Sequence, residues 1–179
     1  MQTYMEKTYQ AAPPLPDIDS DRQRFDIIEL INKFCKWYEQ VLAERNLQLT
    51  IKIGSDIPRY FLGNQLLVKH IFFEPGKNSL LYLGPGEVFL EMGSEKLAGR
   101  RYAIYQTIAF SGNGIPWDKE KELFQPARFS DRDGLRFRST NLYYARMIAG
   151  ILGGDIRLEN SVGFGTRYQV EIRLLSATA

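Results

Sequence analysis

The sequence is poor in the residues that many metal sites and nucleophilic sites need. Its 179 residues include a single cysteine, Cys35, and a single histidine, His70. One cysteine cannot form a disulfide within the chain, and zinc sites of the common kind need several cysteine or histidine ligands. A Ser-His-Asp triad would depend wholly on His70. These scarcities argue against structural zinc, internal disulfides and triad-based catalysis.

Long apolar runs and a charge excess are also missing. No stretch approaches the roughly 20 apolar residues of a membrane span, and the first ten residues, MQTYMEKTYQ, lack the apolar core of a signal peptide. Lys and Arg number 23 against 21 Asp and Glu, so composition alone does not indicate polyanion binding. We therefore expect a soluble, cytoplasmic protein without membrane contact, in which any basic function is local.

Proline and hydrophobic spacing divide the chain into an arm and one domain. Residues 1–24 hold Pro13, Pro14 and Pro16, which disfavour a helix and favour an extended linker or arm. The domain covers residues 25–176. In its first half the spacing predicts a capped helix from Phe25 to about Asn46, a half-buried strand over 47–53, a loop over 53–64, and a helix from Gln65 that Pro75 and Gly76 interrupt.

The second half of the domain has a strand-rich pattern. It predicts a hairpin of strands 87–92 and 101–110, an irregular region over 111–139, a helix over 141–152 stopped by Gly153-Gly154, and closing strands 155–159 and 166–174. This order predicts an α+β fold, a two-layer α/β sandwich with a mixed, mostly antiparallel sheet and helices on one face. Cys35 lies on the apolar face of the first helix and is assigned to the core.

Three local sequences point to a known family. They are SGNGIPWD at 111–118, LFQP at 123–126, and the closing stretch AGILGGDIRLENSVGFGTRYQVEIRL. Together with the order of elements they resemble the ATP-binding domain of sensor histidine kinases, a member of the GHKL superfamily with the Bergerat ATPase fold. The resemblance covers about residues 25–175. It implies a signalling protein of a two-component system.

The resemblance also implies nucleotide contacts at positions where this sequence departs from the family. The asparagine expected to bind Mg²⁺ falls at Lys77, and the neighbouring family asparagine falls at Phe73. An ammonium group has no lone pair for a metal. Asn78 is adjacent, but one residue along a helix turns the side chain by about 100°. The aspartate that would select adenine falls at Phe110, whose ring is expected to fill the adenine pocket.

The two glycine loops of the family are only partly present. Gly112 and Gly114 of the first loop remain, and they are explained equally well as turn residues with positive φ. The second loop should hold glycines at positions that here are Phe137, Ser139 and Asn141. The same lid carries four arginines, which could contact phosphates, form a basic surface for an acidic partner, or belong to a solvated loop: Arg128, Arg132, Arg136 and Arg138.

No phosphoacceptor histidine precedes the domain in this sequence. Residues 1–24 contain no histidine, and His70 falls among apolar residues of the second helix, where a packing role is expected. Autophosphorylation in cis is therefore not expected. The chain is either a fragment of a longer kinase or a free-standing domain.

Three hypotheses follow. The first is a degenerate ATPase domain without cofactor or catalytic residue, which is not expected to be an enzyme. It would bind a receiver, a dimerisation domain or a kinase through the arginine-rich lid. Aromatic side chains available as anchors for that contact are Phe129, Phe137, Tyr143 and Tyr144. The second is an active Mg-ATP-binding kinase domain in which Asn78, Glu74 or the lid arginines replace the family contacts. The third is a nucleic-acid or protein-binding sandwich that uses the lid arginines with Lys77; the acidic Asp131 and Asp133 inside this patch argue against nucleic acid.

Overall fold

The computed structural model describes residues 23–125, 142–161, 163 and 165–177. Residues 1–22 of the predicted arm and the lid over 126–141 lie outside the described residues. The elements are β1 Gln23–Asp26, α1 Ile27–Ala43, β2 Gln48–Ile53, β3 Tyr60–Gly63, α2 Gln65–Ser79, β4 Glu87–Lys96, β5 Arg101–Phe110, α3 Trp117–Glu122, α4 Leu142–Ile151, β6 Asp155–Ser161 and β7 Gly165–Ser176.

One mixed sheet of seven strands forms the base of the fold. Its order is β1-β3-β7-β5-β4-β2, and β6 also pairs with β7. The described pairings are antiparallel except that of β2 with β4. Alternate side chains of the central strands, such as Leu90, Ile104 and Ile172, are completely buried together with Phe34 and Ile71 of the helices. The predicted sandwich with a mostly antiparallel sheet is confirmed, and so are the central hairpin and the closing pair of strands.

The first helix begins close to its predicted start. Asp26 is the N-cap of α1, and its Oδ1 accepts a hydrogen bond from the Glu29 backbone N–H at 3.0 Å. Two details differ from the prediction. Residues from Gln23 to Asp26 form a strand, β1, because they pair with β3. The helix ends at Ala43, and Asn46 follows with a positive φ of 55°.

The strand after α1 is more exposed than its alternating pattern predicts. β2 lies at an edge of the sheet, and Ile51 and Ile53 are 37% and 41% exposed. The prediction of a half-buried strand was wrong because period-two alternation does not reveal whether a strand has one neighbour or two. Among the helices of the described residues, none combines the length and the apolar character needed to cross a membrane.

The second helix does not stop at Pro75. It runs without interruption to Ser79, and Pro75 and Gly76 are both buried in it. A Cβ at Gly76 would lie 2.8 Å from the Phe34 ring, so the missing side chain lets α2 approach α1 closely. Packing of this face compensates for the low helix propensity of both residues. The prediction of a break was therefore wrong.

Two short elements lie where the sequence predicted irregular chain. β3 forms within the predicted loop over 53–64, where it bridges β1 and β7. α3 begins at Trp117, within the region predicted to be irregular. β3 depends on pairing with distant strands, and neither element has the long hydrophobic period that makes an element recognisable in sequence.

Candidate functional site

The positions that the resemblance assigns to nucleotide binding lie where three elements meet. These are the last turns of α2, the end of β5 with the loop that follows, and β7. β5 and β7 are neighbours along their whole length, with Phe110 opposite Thr166 and Ile108 opposite Tyr168. The strand pairing thus brings the first glycine loop beside the last strand of the domain.

On helix α2, Asn78 faces β7, whereas Phe73 faces α1 and Lys77 is partly exposed to solvent. The Phe73 ring packs against α1, with centroids 5.1 Å from Phe34 and 5.2 Å from Trp37. The Lys77 side chain is 48% exposed, and its Nζ lies 2.7 Å from Oε1 of the buried Glu74. The two positions aligned with the family asparagines therefore do not face the sheet.

Asn78 is one of three polar residues that α2 buries, together with Glu74 and Ser79. It is 1% exposed, and its Oδ1 accepts a hydrogen bond from the Tyr168 hydroxyl. Glu74 is also buried and lies four residues, about one helical turn, before Asn78. Phe73 and Lys77 are separated by the same four-residue interval. The signal was present in the sequence, because Asn78 follows the apolar Ile71 by seven residues and so shares its face. Spacing counted without regard to that face placed the expected asparagine one position earlier, at Lys77, and left Asn78 as the adjacent alternative.

Phe110 is the residue to which the resemblance assigns the position of the adenine-selecting aspartate. It is 4% exposed, and its ring lies 6.3 Å from that of Tyr168 with a tilt of 30° between the planes. Burial raises the pKa of the Tyr168 phenol, so it stays neutral. The contact surface here is thus two neutral aromatic rings without a carboxylate.

Buried polar groups continue from this point into the helices. The Tyr38 hydroxyl lies 2.6 Å from Ser79 Oγ, which donates to the Gly76 carbonyl at 2.7 Å. Burial raises the pKa of Tyr38 to about 12. On β5, the Gln106 side chain is 1% exposed and its amide has no hydrogen-bond partner among the described residues. The hydrogen bonds of Ser79 with Tyr38 and with the Gly76 carbonyl connect α1 to α2 and hold the end of α2 in place.

The first glycine loop is held against β6 by a side chain that sequence reasoning did not single out. Asn160 accepts from the Ile115 N–H at 2.8 Å and donates to the Ile115 carbonyl at 2.9 Å. Its Nδ2 also lies 2.7 Å from Glu120 Oε2, and its Oδ1 accepts from Thr166 Oγ1 at 2.9 Å. No sequence motif marks this asparagine, because two of the residues it binds, Ile115 and Glu120, lie 45 and 40 positions away in the chain.

Both glycines of this loop have backbone conformations that favour glycine. Gly112 has a φ of 139° and Gly114 a φ of 72°. A Cβ at Gly114 would also lie 2.9 Å from the Ser161 carbonyl oxygen. Turn geometry and close packing on β6 therefore account for Gly114 without any ligand.

One titratable cluster lies on α2 at the edge of the site. His70 Nδ1 is 3.7 Å from Glu74 Oε1, which also pairs with Lys77. Burial lowers the pKa of His70, and the nearby Lys77 charge lowers it further, whereas Glu74 opposes the shift. Among the described residues, no group of three or more His, Cys, Asp or Glu side chains could hold a metal ion.

The remaining predicted positions belong to the second glycine loop and the lid. They lie outside the described residues and stay predictions: Phe137, Ser139 and Asn141 of the second glycine loop, and Arg128, Arg132, Arg136 and Arg138 of the lid.

Comparison with solved structures identifies the fold. The catalytic domain of the histidine kinase ThkA superposes with a TM-score of 0.61 at 19% identity, over 85% of this chain and 95% of that domain. Full-length ShkA in complex with AMPPNP gives 0.64 at 17% identity, over 89% of this chain and 32% of ShkA. The chain therefore has the fold of the histidine kinase catalytic domain, as the resemblance predicted.

Sequence relatives agree with this fold. The hybrid signal transduction protein dokA of Dictyostelium discoideum is 23% identical over 86% of this chain, and the histidine-protein kinase BarA of Escherichia coli is 25% identical over 73%. The sensor protein DctB of Rhizobium meliloti is 30% identical over 63%. The chain spans only 10%, 15% and 17% of the lengths of these three relatives. No protein-family model matches the chain.

Proposed function

We propose that this chain is a degenerate histidine-kinase-type ATPase domain, in which ATP binding is weakened or lost, and that it serves a two-component signalling protein as a structural or interaction module. The observation that carries the proposal is the buried contact of Phe110 with Tyr168. Phe110 stands at the position to which the resemblance assigns the aspartate that accepts a hydrogen bond from adenine. A phenyl ring cannot accept that bond and fills space that a ligand would need.

The charges on α2 also support this proposal. Glu74 is a buried carboxylate on the same helix as Lys77 and Asn78, and its Oε1 already lies 2.7 Å from the Lys77 ammonium. A divalent cation there would have to displace that ammonium or share the carboxylate with it, and the two positive charges would repel each other. Mg-ATP binding is thus opposed both at the adenine end and at the metal end.

One observation favours the alternative of an active kinase domain. Asn78 is turned inward one helical turn after Glu74, so an oxygen donor does face the site. ShkA, a structural relative, has been solved with AMPPNP. For Asn78 to act on a nucleotide, its Oδ1 would have to bind the metal beside the Tyr168 hydroxyl or in place of it, and the Phe110 ring would have to move.

The module would act through a signalling protein partner in the cytoplasm. The related kinase ThkA has been solved in complex with the response regulator TrrA, with a TM-score of 0.58 to this chain at 19% identity. We take a receiver domain or a kinase dimerisation domain as the expected partner class. The basic-patch hypothesis has less support, because Lys77 pairs with Glu74 and does not add a free cation to the lid.

The first experiment is a calorimetric titration of the purified chain with ATP and with ADP, each with and without Mg²⁺, at low salt. The proposal predicts no heat of binding up to millimolar nucleotide. Micromolar affinity would contradict it and would support the active-kinase alternative.

Substitutions at Phe110 test the physical reason. Phe110→Asp restores the family carboxylate, and Phe110→Leu is the matched apolar control. If the ring and the missing acceptor are the obstacle, the first variant, alone or with Lys77→Asn, gains measurable affinity for ATP and the second does not. Circular dichroism establishes that each variant is folded. A folded Phe110→Asp, Lys77→Asn protein that stays inert would show that other positions block binding.

The partner surface is tested by charge reversal in the lid. Arg132→Glu with Arg136→Glu is expected to weaken binding to a receiver or dimerisation domain, because the lid would become acidic. The control is Lys36→Glu, an exposed position on α1. Equal binding by wild type and the lid variant would place the interface elsewhere.

A further inference from the structure

A groove opens at the end of the domain away from Phe110. β7 has β5 along one side, and along its other side β6 as far as Glu171 and β3 from Leu175 onward. Between these two neighbours the edge of β7 has no strand partner among the described residues. A cavity of about 470 Å³ lies there, between the start of α2 and the end of α4. We name it the β7-edge groove; its walls include Leu62, Leu67, Val68, Ile151, Leu152 and Leu174.

The rim of this groove combines exposed apolar and basic side chains. Ile151 lines it and is 48% exposed, and Leu66 beside it on α2 is 75% exposed. Arg101 and Arg173 also line it. Arg173 lies 3.6 Å from Glu171, whereas exposed Arg101 makes no ion pair with another described residue. An apolar floor beside a guanidinium that has no ion-pair partner in the described part of the chain suits a short apolar segment that carries carboxylates.

Such a segment exists within this chain. The predicted arm contains AAPPLPDIDSD at residues 11–21, with apolar Leu15 and Ile18 and three aspartates, Asp17, Asp19 and Asp21. It joins the domain at Gln23, the first residue of β1, and Gln23 pairs with Gly63, which lines the groove. An extended run over residues 17–22 reaches roughly 20 Å, enough to cover the groove from that point.

We propose that residues 11–22 of this chain dock in the β7-edge groove of the same molecule. Leu15 and Ile18 contact the apolar walls, and the aspartates face Arg101 and Arg173. The prolines favour the extended form in the free arm, so docking costs less conformational entropy than it would for a flexible sequence. Tethering supplies a high effective concentration without any partner protein. This contact is independent of nucleotide binding.

The test uses the full chain with Ser20→Cys carrying a nitroxide spin label. Cys35 is buried and its pKa is raised to about 11, so thiol labelling near neutral pH selects the new cysteine. The measurement is the loss of amide signal in ¹⁵N NMR spectra. Docking predicts strong loss at Val68, Leu152 and Arg173, and little at Lys36 on α1.

Charge variants separate docking from mere closeness to Gln23. Arg101→Glu is expected to reduce the signal loss at the groove, and Lys36→Glu, a matched exposed cation, is expected to leave it unchanged. Reversing Asp17, Asp19 and Asp21 to lysine in the Arg101→Glu protein should restore it. The proposal is overturned if Arg101→Glu leaves the pattern as in wild type, or if no loss occurs at the groove. A mixture of spin-labelled ¹⁴N chains with ¹⁵N chains that carry no spin label detects docking between two molecules. Signal loss at the groove in that mixture would assign the groove to the arm of a second molecule and would overturn docking within one chain.

Discussion

The Tyr168 hydroxyl donates a hydrogen bond to Asn78 Oδ1, and the two residues are 90 positions apart in the chain. The bond joins the last strand to the final turn of α2 beside the buried Phe110 ring. It lies across the place where the resemblance assigns a nucleotide. The bond also links two distant parts of the domain, so weakening it should lower stability.

Removing this hydroxyl tests its structural contribution. Tyr168→Phe keeps the ring and takes one partner from a buried amide, so we expect the free energy of unfolding to fall by about 1–3 kcal/mol. Urea denaturation measures this. Tyr105→Phe, at a position 37% exposed, is the control and should change stability by less than about 0.5 kcal/mol. Equal effects of the two substitutions would contradict the assigned role of the bond.

The glycine loop offers a matched pair of substitutions. Gly99 and Gly114 have similar φ values of 63° and 72°, but a Cβ at Gly99 meets nothing within 4 Å, whereas one at Gly114 meets the Ser161 carbonyl at 2.9 Å. Gly99→Ala is expected to cost about 1–2 kcal/mol of stability from backbone strain alone. Gly114→Ala should cost about 1–3 kcal/mol more because of the clash. Thermal or urea unfolding gives the difference, and similar costs would mean that the loop moves away freely.

Asn160 should control opening of the same loop. Asn160→Ala removes both hydrogen bonds to Ile115 and those to Glu120 and Thr166. We expect faster hydrogen exchange of the Ile115 amide and a loss of about 1–3 kcal/mol in stability. Asn113→Ala, at an exposed position in the same loop, should leave the exchange rate near that of wild type. Unchanged exchange in Asn160→Ala would show that other contacts hold the loop.

His70 predicts a pH effect of definite sign. Its pKa in the folded protein lies below the ordinary 6.5 because of burial and the Lys77 charge. As pH falls from about 7 to about 5, the unfolded chain takes up this proton before the folded chain does, so stability decreases over that window. His70→Gln should show a smaller decrease in urea denaturation. As the chain has one histidine, NMR reads its titration directly; Lys77→Met is expected to raise the pKa, and a fall would contradict the assigned cause.

Much of the fold follows from local pattern. The capped start of α1, the central hairpin, the last helix and the closing strands all have hydrophobic periods or turn residues that act over a few positions. The errors lie where distant contacts decide. Pro75 and Gly76 stay helical because α2 packs closely on Phe34, and β3 exists because β1 and β7 lie on either side of it.

The candidate site was predictable in part. That the position of the adenine-selecting aspartate falls at Phe110 is a prediction from the glycine loop beside it in the sequence. The orientation of α2 could not be inferred from family spacing alone. If the alignment with the family shifts by one position, the aligned residues change from the buried Glu74 and Asn78 to Phe73 and Lys77. Successive residues of a helix point about 100° apart, so this shift changes which side chains face the sheet.

By itself the sequence determined the fold class and the family resemblance, because these depend on composition, local periodicity and short motifs. Only the tertiary structure decided that Asn78 meets Tyr168, that Asn160 holds the glycine loop, and that a groove remains open at the edge of β7. Those features arise where chain segments far apart in sequence come together, and their geometry depends on the packing of the whole domain.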